Sequence, residues 1–223
     1  VRQILVNAGV SESKLIVTGN PAFDGLASSS LKEKALAWRA SLGWQDKTVV
    51  LWAGHLDDYT SVNPDLGKAT GYPREVEAQL RSWAQADETR ALIIRYHPNE
   101  MHLFPQGPSH PRVFVSTREQ HVHQVILASD LAVVQVSTVG LEAAVAGKPV
   151  VAMVKSPHSL RINFSYERLG VAYGAPEISM LPDVIEHALS IGCVAPQLAQ
   201  STPVAPVIAR EILGLMARKM KEH

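Results

Sequence analysis

Ser137, Thr138, Gly140 and Glu142 are the residues of this chain whose types and spacing best suit ligand chemistry. They follow an apolar run, Leu131 to Val136, and open an Ala-rich segment, Val139 to Ala146. A turn at the carboxyl end of a buried strand presents unpaired N–H groups and the positive end of a helix dipole, and both attract phosphate. The small hydroxyl residues, with Gly140 just inside, would let a diphosphate approach the backbone. Glu142 lies one turn further in, where a carboxylate can accept hydrogen bonds from two ribose hydroxyls. The plainer alternative is that Ser137 or Thr138 only caps the helix and Glu142 only complements its dipole. The residues by themselves leave both readings open.

The elements that must position this turn are legible from periodicity. Leu131–Val136 and Val150–Val154 are short β-branched runs of the buried-strand kind, and Gly147 and Pro149 stop the helix between them. Upstream, Leu15 to Thr18 carries a short strand signal closed by Gly19-Asn20-Pro21. Ser30 and Glu33 make a capping-box pattern before an apolar stripe that ends at Gly43. Thr48–Ala53 is a strong strand, and an irregular stretch from Gly54 to Tyr72 follows it. Pro73 opens a helix with Val76, Leu80 and Trp83 on its buried face. Ala91–Tyr96 is the next strand and runs straight into His97 and Pro98, after which a polar, proline-rich loop reaches Pro111. Val113–Val115 is a short strand, Thr117 and Gln120 make a second capping box, and a helix runs through Val125 to Ala128. Val171–Tyr173 is an edge-strand candidate, Leu181–Ile191 a helix, and Pro203 starts a terminal helix.

This alternation predicts an α/β fold: a three-layer, doubly wound, mostly parallel Rossmann-like sheet. With the common strand order 3-2-1-4-5-6, the reversal falls between the strand ending at Ala53 and the one ending at Val136. Ligands bind outside the carboxyl ends of strands at such a point. Gly54 and His55 would then face Ser137 and Thr138, with His97 alongside.

Charge and composition exclude other classes. The chain has 21 basic and 21 acidic residues and no net charge, which argues against nucleic acid or an anionic membrane as main partner. The single cysteine, Cys193, excludes an internal disulfide framework and a zinc cluster. No apolar run reaches the roughly 18 residues of a transmembrane segment, and no signal-peptide pattern is present. The expectation is a cytoplasmic domain. Because the first residues run into VTGNP from what reads as mid-helix, residues 1–20 are expected to be a linker at the end of a missing N-terminal half, and residues 21–223 the domain itself.

Other polar residues carry weaker signals. His121 and His123 fall in a predicted helix, where a spacing of two puts them on different faces and disfavours a metal. His102, His110 and His158 read as solvated loop histidines, and Asp57 and Asp58 as a solvated loop. Arg161 and Lys155 are candidate phosphate contacts. Cys193 lacks a base and reads as a small apolar residue. No Walker loop, GxGxxG fingerprint or Ser-His-Asp arrangement occurs.

The phrases VTGNPAFDGL at 17–26, RYHPNE at 95–100 and QVSTVGLEAAVAGKPVVAM at 135–153 resemble the C-terminal half of GT-B glycosyltransferases. They look most like the branch with the UDP-N-acetylglucosamine 2-epimerases and the capsule or lipid-linked polysaccharide enzymes. The resemblance implies a nucleotide-sugar donor site, UDP-linked first, with no cofactor and no bound metal. Ser137, Thr138 and Gly140 would hold the diphosphate and Glu142 the ribose. His97 would lie beside nucleotide or sugar, and Gly54 and His55 would line the other wall. Epimerases carry His-Arg after the first strand and Ser-Gly-Gly at the second turn. Here Leu56 follows His55, and Ser137-Thr138-Val139 stands at the turn, so a transferase is favoured over an epimerase. A non-catalytic ligand-binding module on the same fold is the third reading. The implied acceptor half lies upstream, so this chain alone is expected to bind a donor without turnover.

Overall fold

The structure is a computed structural model that describes residues 2–54, 71–198 and 203–219. Contacts divide it into two compact units, residues 28–199 and residues 1–27 with 200–223.

In the smaller unit, α1 (Arg2–Asn7) leads to an irregular segment and a 3-10 helix at Pro21–Ala27. Leu15–Thr18 forms no strand: Ile16 and Val17 are 50% and 71% exposed, and no strand among the described residues pairs with it. The terminal helix runs from Ala205 to Lys219. Its start is tied down by Asp24, whose carboxylate accepts the backbone N–H groups of Val204 (2.7 Å) and Ala205 (2.8 Å), which a helix start leaves without intrahelical partners.

Among its described residues the larger unit has seven strands: β1 (Thr48–Ala53), β2 (Arg90–Ile94), β3 (Gly107–His110), β4 (Val113–Val115), β5 (Leu131–Val134), β6 (Val150–Met153) and β7 (Tyr173–Ala175). Their order is β3-β4-β2-β1-β5-β6-β7, with every pair parallel except β3–β4. Without β3 this is the expected 3-2-1-4-5-6 arrangement, and the reversal lies between β1 and β5, where Ala53 pairs with Val134. β3 falls in what reads as a loop. Gly107-Pro108-Ser109-His110 has no apolar alternation, and Pro108 is tolerated because the strand lies at the sheet edge.

The inner strands β1, β2, β4, β5 and β6 are buried on both faces, as a parallel sheet requires. Val50, Trp52, Leu92, Ile94 and Val133 pack with Val76, Leu80 and Trp83 of α3 and with Leu181 and Ile185 of α7. Here α2 spans Ser29–Ser41, α3 Tyr72–Ala86, α4 Val122–Ala128, α5 Val139–Val145, α6 Pro157–Ile162 and α7 Leu181–Ile191. The alternate strand residues face α2, α4 and α5, which pack on one another as the third layer. At the amino-terminal edge, the Arg39 guanidinium meets Asp130 through two contacts of 2.8 and 3.0 Å, and Asp130 also accepts the Val49 N–H at 2.8 Å. This network ties α2 to the starts of β1 and β5.

Several boundaries move. α2 is capped by Ser28, whose Oγ accepts the Leu31 N–H, and not by Ser30. The Thr117–Gln120 pairing forms, with the Thr117 N–H donating to Oε1 of Gln120 at 2.8 Å, but it closes a turn. α4 starts later, with His121 as its cap. β5 ends at Val134, two residues earlier than its apolar run, and the edge strand expected at 171–173 is realised at 173–175. None of these shifts changes which strand ends meet at the switch point. Among the described residues, no helix is long and apolar enough to cross a membrane.

Candidate functional site

A cleft of about 500 Å³ opens where the carboxyl ends of β1, β2 and β5 meet. Gly54, His97, Ser137, Thr138 and Glu142 all line it, so three separate loops converge as the topology demands. His55 lies outside the described residues, as do Asp57 and Asp58.

Each wall has a local cause. Gly54 follows β1, and a Cβ there would lie 2.5 Å from the buried Trp52 indole, so only glycine fits without displacing the ring. His97 follows β2, and its Nδ1 accepts the Asn99 N–H at 3.3 Å, which places the proton of the uncharged ring on Nε2. Ser137 does act as a cap, its Oγ accepting the Val139 N–H at 3.3 Å. Thr138, the formal cap residue, makes no side-chain capping bond, so its hydroxyl remains on the cleft wall.

Gly140 is placed differently from the sequence reading. It is buried, its N–H donates to the Ser137 carbonyl at 3.0 Å, and its α-carbon faces Val134 and Tyr166. A Cβ would lie 2.9 Å from Val134 Cγ2 and 3.0 Å from Tyr166 Cε2. Its small size lets α5 approach the sheet.

Three site residues escaped the sequence reading. Arg95 lies one residue past β2, and its N–H extends the ladder by donating to the Trp52 carbonyl at 2.8 Å. Its Nη1 donates to Ser116 Oγ (3.1 Å) and to the carbonyls of Thr117 (3.0 Å) and Gln120 (2.9 Å), fixing a guanidinium at the cleft. Burial pulls the Arg95 pKa down and the Glu142 carboxylate raises it, and a guanidinium stays charged at neutral pH throughout. Tyr96 stacks on Phe104 with ring centroids 3.8 Å apart, and its hydroxyl donates to Glu77 Oε2 at 2.7 Å. Burial, and then Glu77, push this phenol well above its ordinary range. His123, on α4, brings Nε2 to 3.4 Å from Glu142 Oε2. The signal for Arg95 and Tyr96 was present in RYHP, immediately after the apolar run. His123 left none, because its partner is on another helix.

The remaining candidates lie elsewhere. Lys155 pairs with Glu177 at 3.0 Å, and Arg161 Nη2 contacts His158 Nδ1 at 2.7 Å; neither cation lines the cleft. His110 Nδ1 accepts the Arg112 N–H, a loop-closing contact, and Cys193 is a half-buried thiol 3.9 Å from the Ala144 carbonyl.

Residues 3–158 match the family described as CDP-Glycerol:Poly(glycerophosphate) glycerophosphotransferase. The chain belongs to this family. The match takes in the three strand ends that form the cleft and the whole of α5. Among solved structures, a variant of the wall teichoic acid polymerase TagF is 16% identical with a TM-score of 0.62, over 100% of this chain and 57% of that one. The Methanocaldococcus jannaschii UDP-GlcNAc 2-epimerase, solved in complex with UDP-GlcNAc and UDP, is 14% identical with a TM-score of 0.56, over 95% of this chain and 58% of that one. At such identities the likeness is one of fold, and the fold is that of GT-B proteins. The glycerophosphotransferase-family chain thus spans between half and two thirds of the length of these structures. No curated protein matches it.

Proposed function

We propose that the cleft binds a nucleoside diphosphate-linked donor and that the chain is the donor-binding half of a polymer-building transferase. The observation that carries this reading is the pairing of an anchored guanidinium, Arg95, with a carboxylate, Glu142, on the walls of one cleft at the switch point. A diphosphate needs the first and a ribose diol uses the second. Ser137 and Thr138 supply hydroxyl donors to the diphosphate. His97, exposed at the rim, stands beside the group to be transferred, and Gly54 lines the opposite wall.

Family membership makes CDP-glycerol the first donor to test and UDP-linked sugars the second. The two chemistries differ in the bond broken. Transfer of glycerophosphate from CDP-glycerol to an acceptor hydroxyl breaks the phosphoanhydride and releases CMP. Sugar transfer breaks the bond between the sugar carbon and the diphosphate and releases UDP. The acceptor and the residues that orient it belong to the whole enzyme, since orientation of the reactants alone can be worth on the order of 7–11 kcal/mol of barrier.

Calorimetry with CDP-glycerol, CDP, UDP, UDP-GlcNAc and inorganic pyrophosphate tests the reading. Glu142→Ala should weaken nucleoside diphosphates by roughly 1–3 kcal/mol and pyrophosphate, which has no ribose, much less. Equal losses for both classes would make Glu142 structural. Failure of every nucleotide to bind would remove the donor reading. Nucleotide binding without CMP or UDP release in the full-length protein would leave a non-catalytic binding module.

A further inference from the structure

Glu142 lines the cleft, yet one of its carboxylate oxygens is withdrawn from it. Oε2 is sealed from solvent and has no hydrogen-bond partner among the described residues. A buried carboxylate oxygen without a donor is costly, so its surroundings call for an account. The group facing it is the His123 imidazole, with Nε2 3.4 Å away. That separation is close enough for charge attraction but too long for a well-formed hydrogen bond. His123 is itself 7% exposed, and its Nδ1 is likewise sealed and without a partner among the described residues. The imidazole therefore has one neighbour that needs a proton donor, the carboxylate.

The scaffold behind His123 is firm. Its backbone N–H donates to Nδ1 of His121 at 3.2 Å, the capping contact of α4, and the two rings meet edge to face. α4 packs against α5, so the histidine and the carboxylate are presented by two helices of one layer. The other charged or titratable groups that feel Glu142 are Arg95, His121 and Tyr166. Arg95 spends Nη1 on Ser116, Thr117 and Gln120, and among the described residues no hydrogen bond joins it to Glu142 Oε2. Arg95 supplies field, and His123 is left to supply the hydrogen bond.

We infer that His123 is the positioning residue for Glu142: its Nε2–H holds Oε2 from behind and leaves the other carboxylate oxygen facing the cleft for the ribose of the donor. This rests on the donor reading above. With Oε2 turned inward, one oxygen receives the diol, and its direction is set by a residue that never touches the ligand. A carboxylate released from His123 would rotate and would no longer distinguish a ribose from a sugar ring that lacks the hydroxyls.

The experiment compares CDP with 2′,3′-dideoxy-CDP in the parent, in His123→Leu and in His123→Gln, with UDP and its dideoxy counterpart run in parallel. The parent should prefer the ribose form by about tenfold or more, the scale of one hydrogen bond to a charged group. In His123→Leu the preference should fall to within about twofold while dideoxy-CDP binds as before, which also reports that the variant is folded. His123→Gln, whose side-chain amide can still donate, should recover most of the preference. Nitrogen NMR of the unliganded parent should place the His123 proton on Nε2, and this signal should move with CDP but not with dideoxy-CDP. A full ribose preference in His123→Leu, or a proton found on Nδ1 and not on Nε2, overturns the inference. If no nucleotide binds, the donor reading falls, and the NMR measurement still decides whether His123 donates to Glu142.

Discussion

Gly140→Ala separates two uses of one glycine, packing of α5 and access of a ligand. The added methyl would lie 2.9 Å from Val134 Cγ2 and 3.0 and 3.2 Å from two ring carbons of Tyr166. Carbon atoms attract best at about 3.5–4.0 Å, so the methyl is too close by about half an ångström or more on two sides. Neither neighbour yields easily. Val134 is fully buried on β5 and stiff at its first torsion, and Tyr166 is 5% exposed and packed edge-on against Phe164 at 4.9 Å. Overpacking of this kind costs about 1–3 kcal/mol. Alanine is favoured over glycine inside a helix by roughly 1 kcal/mol, and Gly140 has no positive φ to lose. The net expectation is a loss of about 0–2 kcal/mol. Urea unfolding should show it as a lower midpoint at unchanged slope. Adding Val134→Ala removes the tighter contact, so the two changes should be non-additive, with the double variant more stable than the sum of the singles predicts. Nucleotide affinity should change little in either. A Gly140→Ala protein as stable as its parent but unable to bind nucleotide would refute the packing argument and return Gly140 to the diphosphate.

Arg39→Ala should cost about 3 kcal/mol of stability, the scale of breaking a largely buried ion pair, because Asp130 is left with only the Val49 N–H among its partners in that network. Since Arg39 lies at the sheet edge opposite the cleft, nucleotide affinity of the folded fraction should be unchanged in calorimetry. Tyr96→Phe keeps the stack on Phe104 but strands Glu77 Oε2, and chemical denaturation should show a loss of about 1–2 kcal/mol. Burial, with His123 and Arg95 nearby, holds the His121 imidazole below its ordinary range. The unfolded ring therefore takes up its proton first as pH falls through about 6.5, the unfolded state binds more protons over that interval, and stability should fall with falling pH. The denaturation midpoint of His121→Asn should depend less steeply on pH in that range, and an unchanged slope would dismiss His121 as the source.

The alternation of strands and helices was legible without coordinates because it is written in near neighbours. β-branched runs at 48–53, 91–94 and 150–153, a proline at the first turn of α3 and a glycine after α5 each act within a turn or two of the chain. From that alternation, the topological rule for parallel sheets brought Gly54, His97 and Ser137 to one cleft before any distance was known. What tertiary structure decided is of a different kind. β3 exists because β4 offers it an edge, not because Gly107-Pro108-Ser109-His110 prefers to be extended. Gly140 is small for the sake of Val134 and Tyr166, and the spacing of the turn could not separate that from access for a phosphate. His121 and His123 read as a pair in sequence, yet one caps α4 and the other faces Glu142 on α5. Local patterns specify which residues form an element. Which side chain meets which across two elements depends on helix packing, and a single sequence carries no local signal of it.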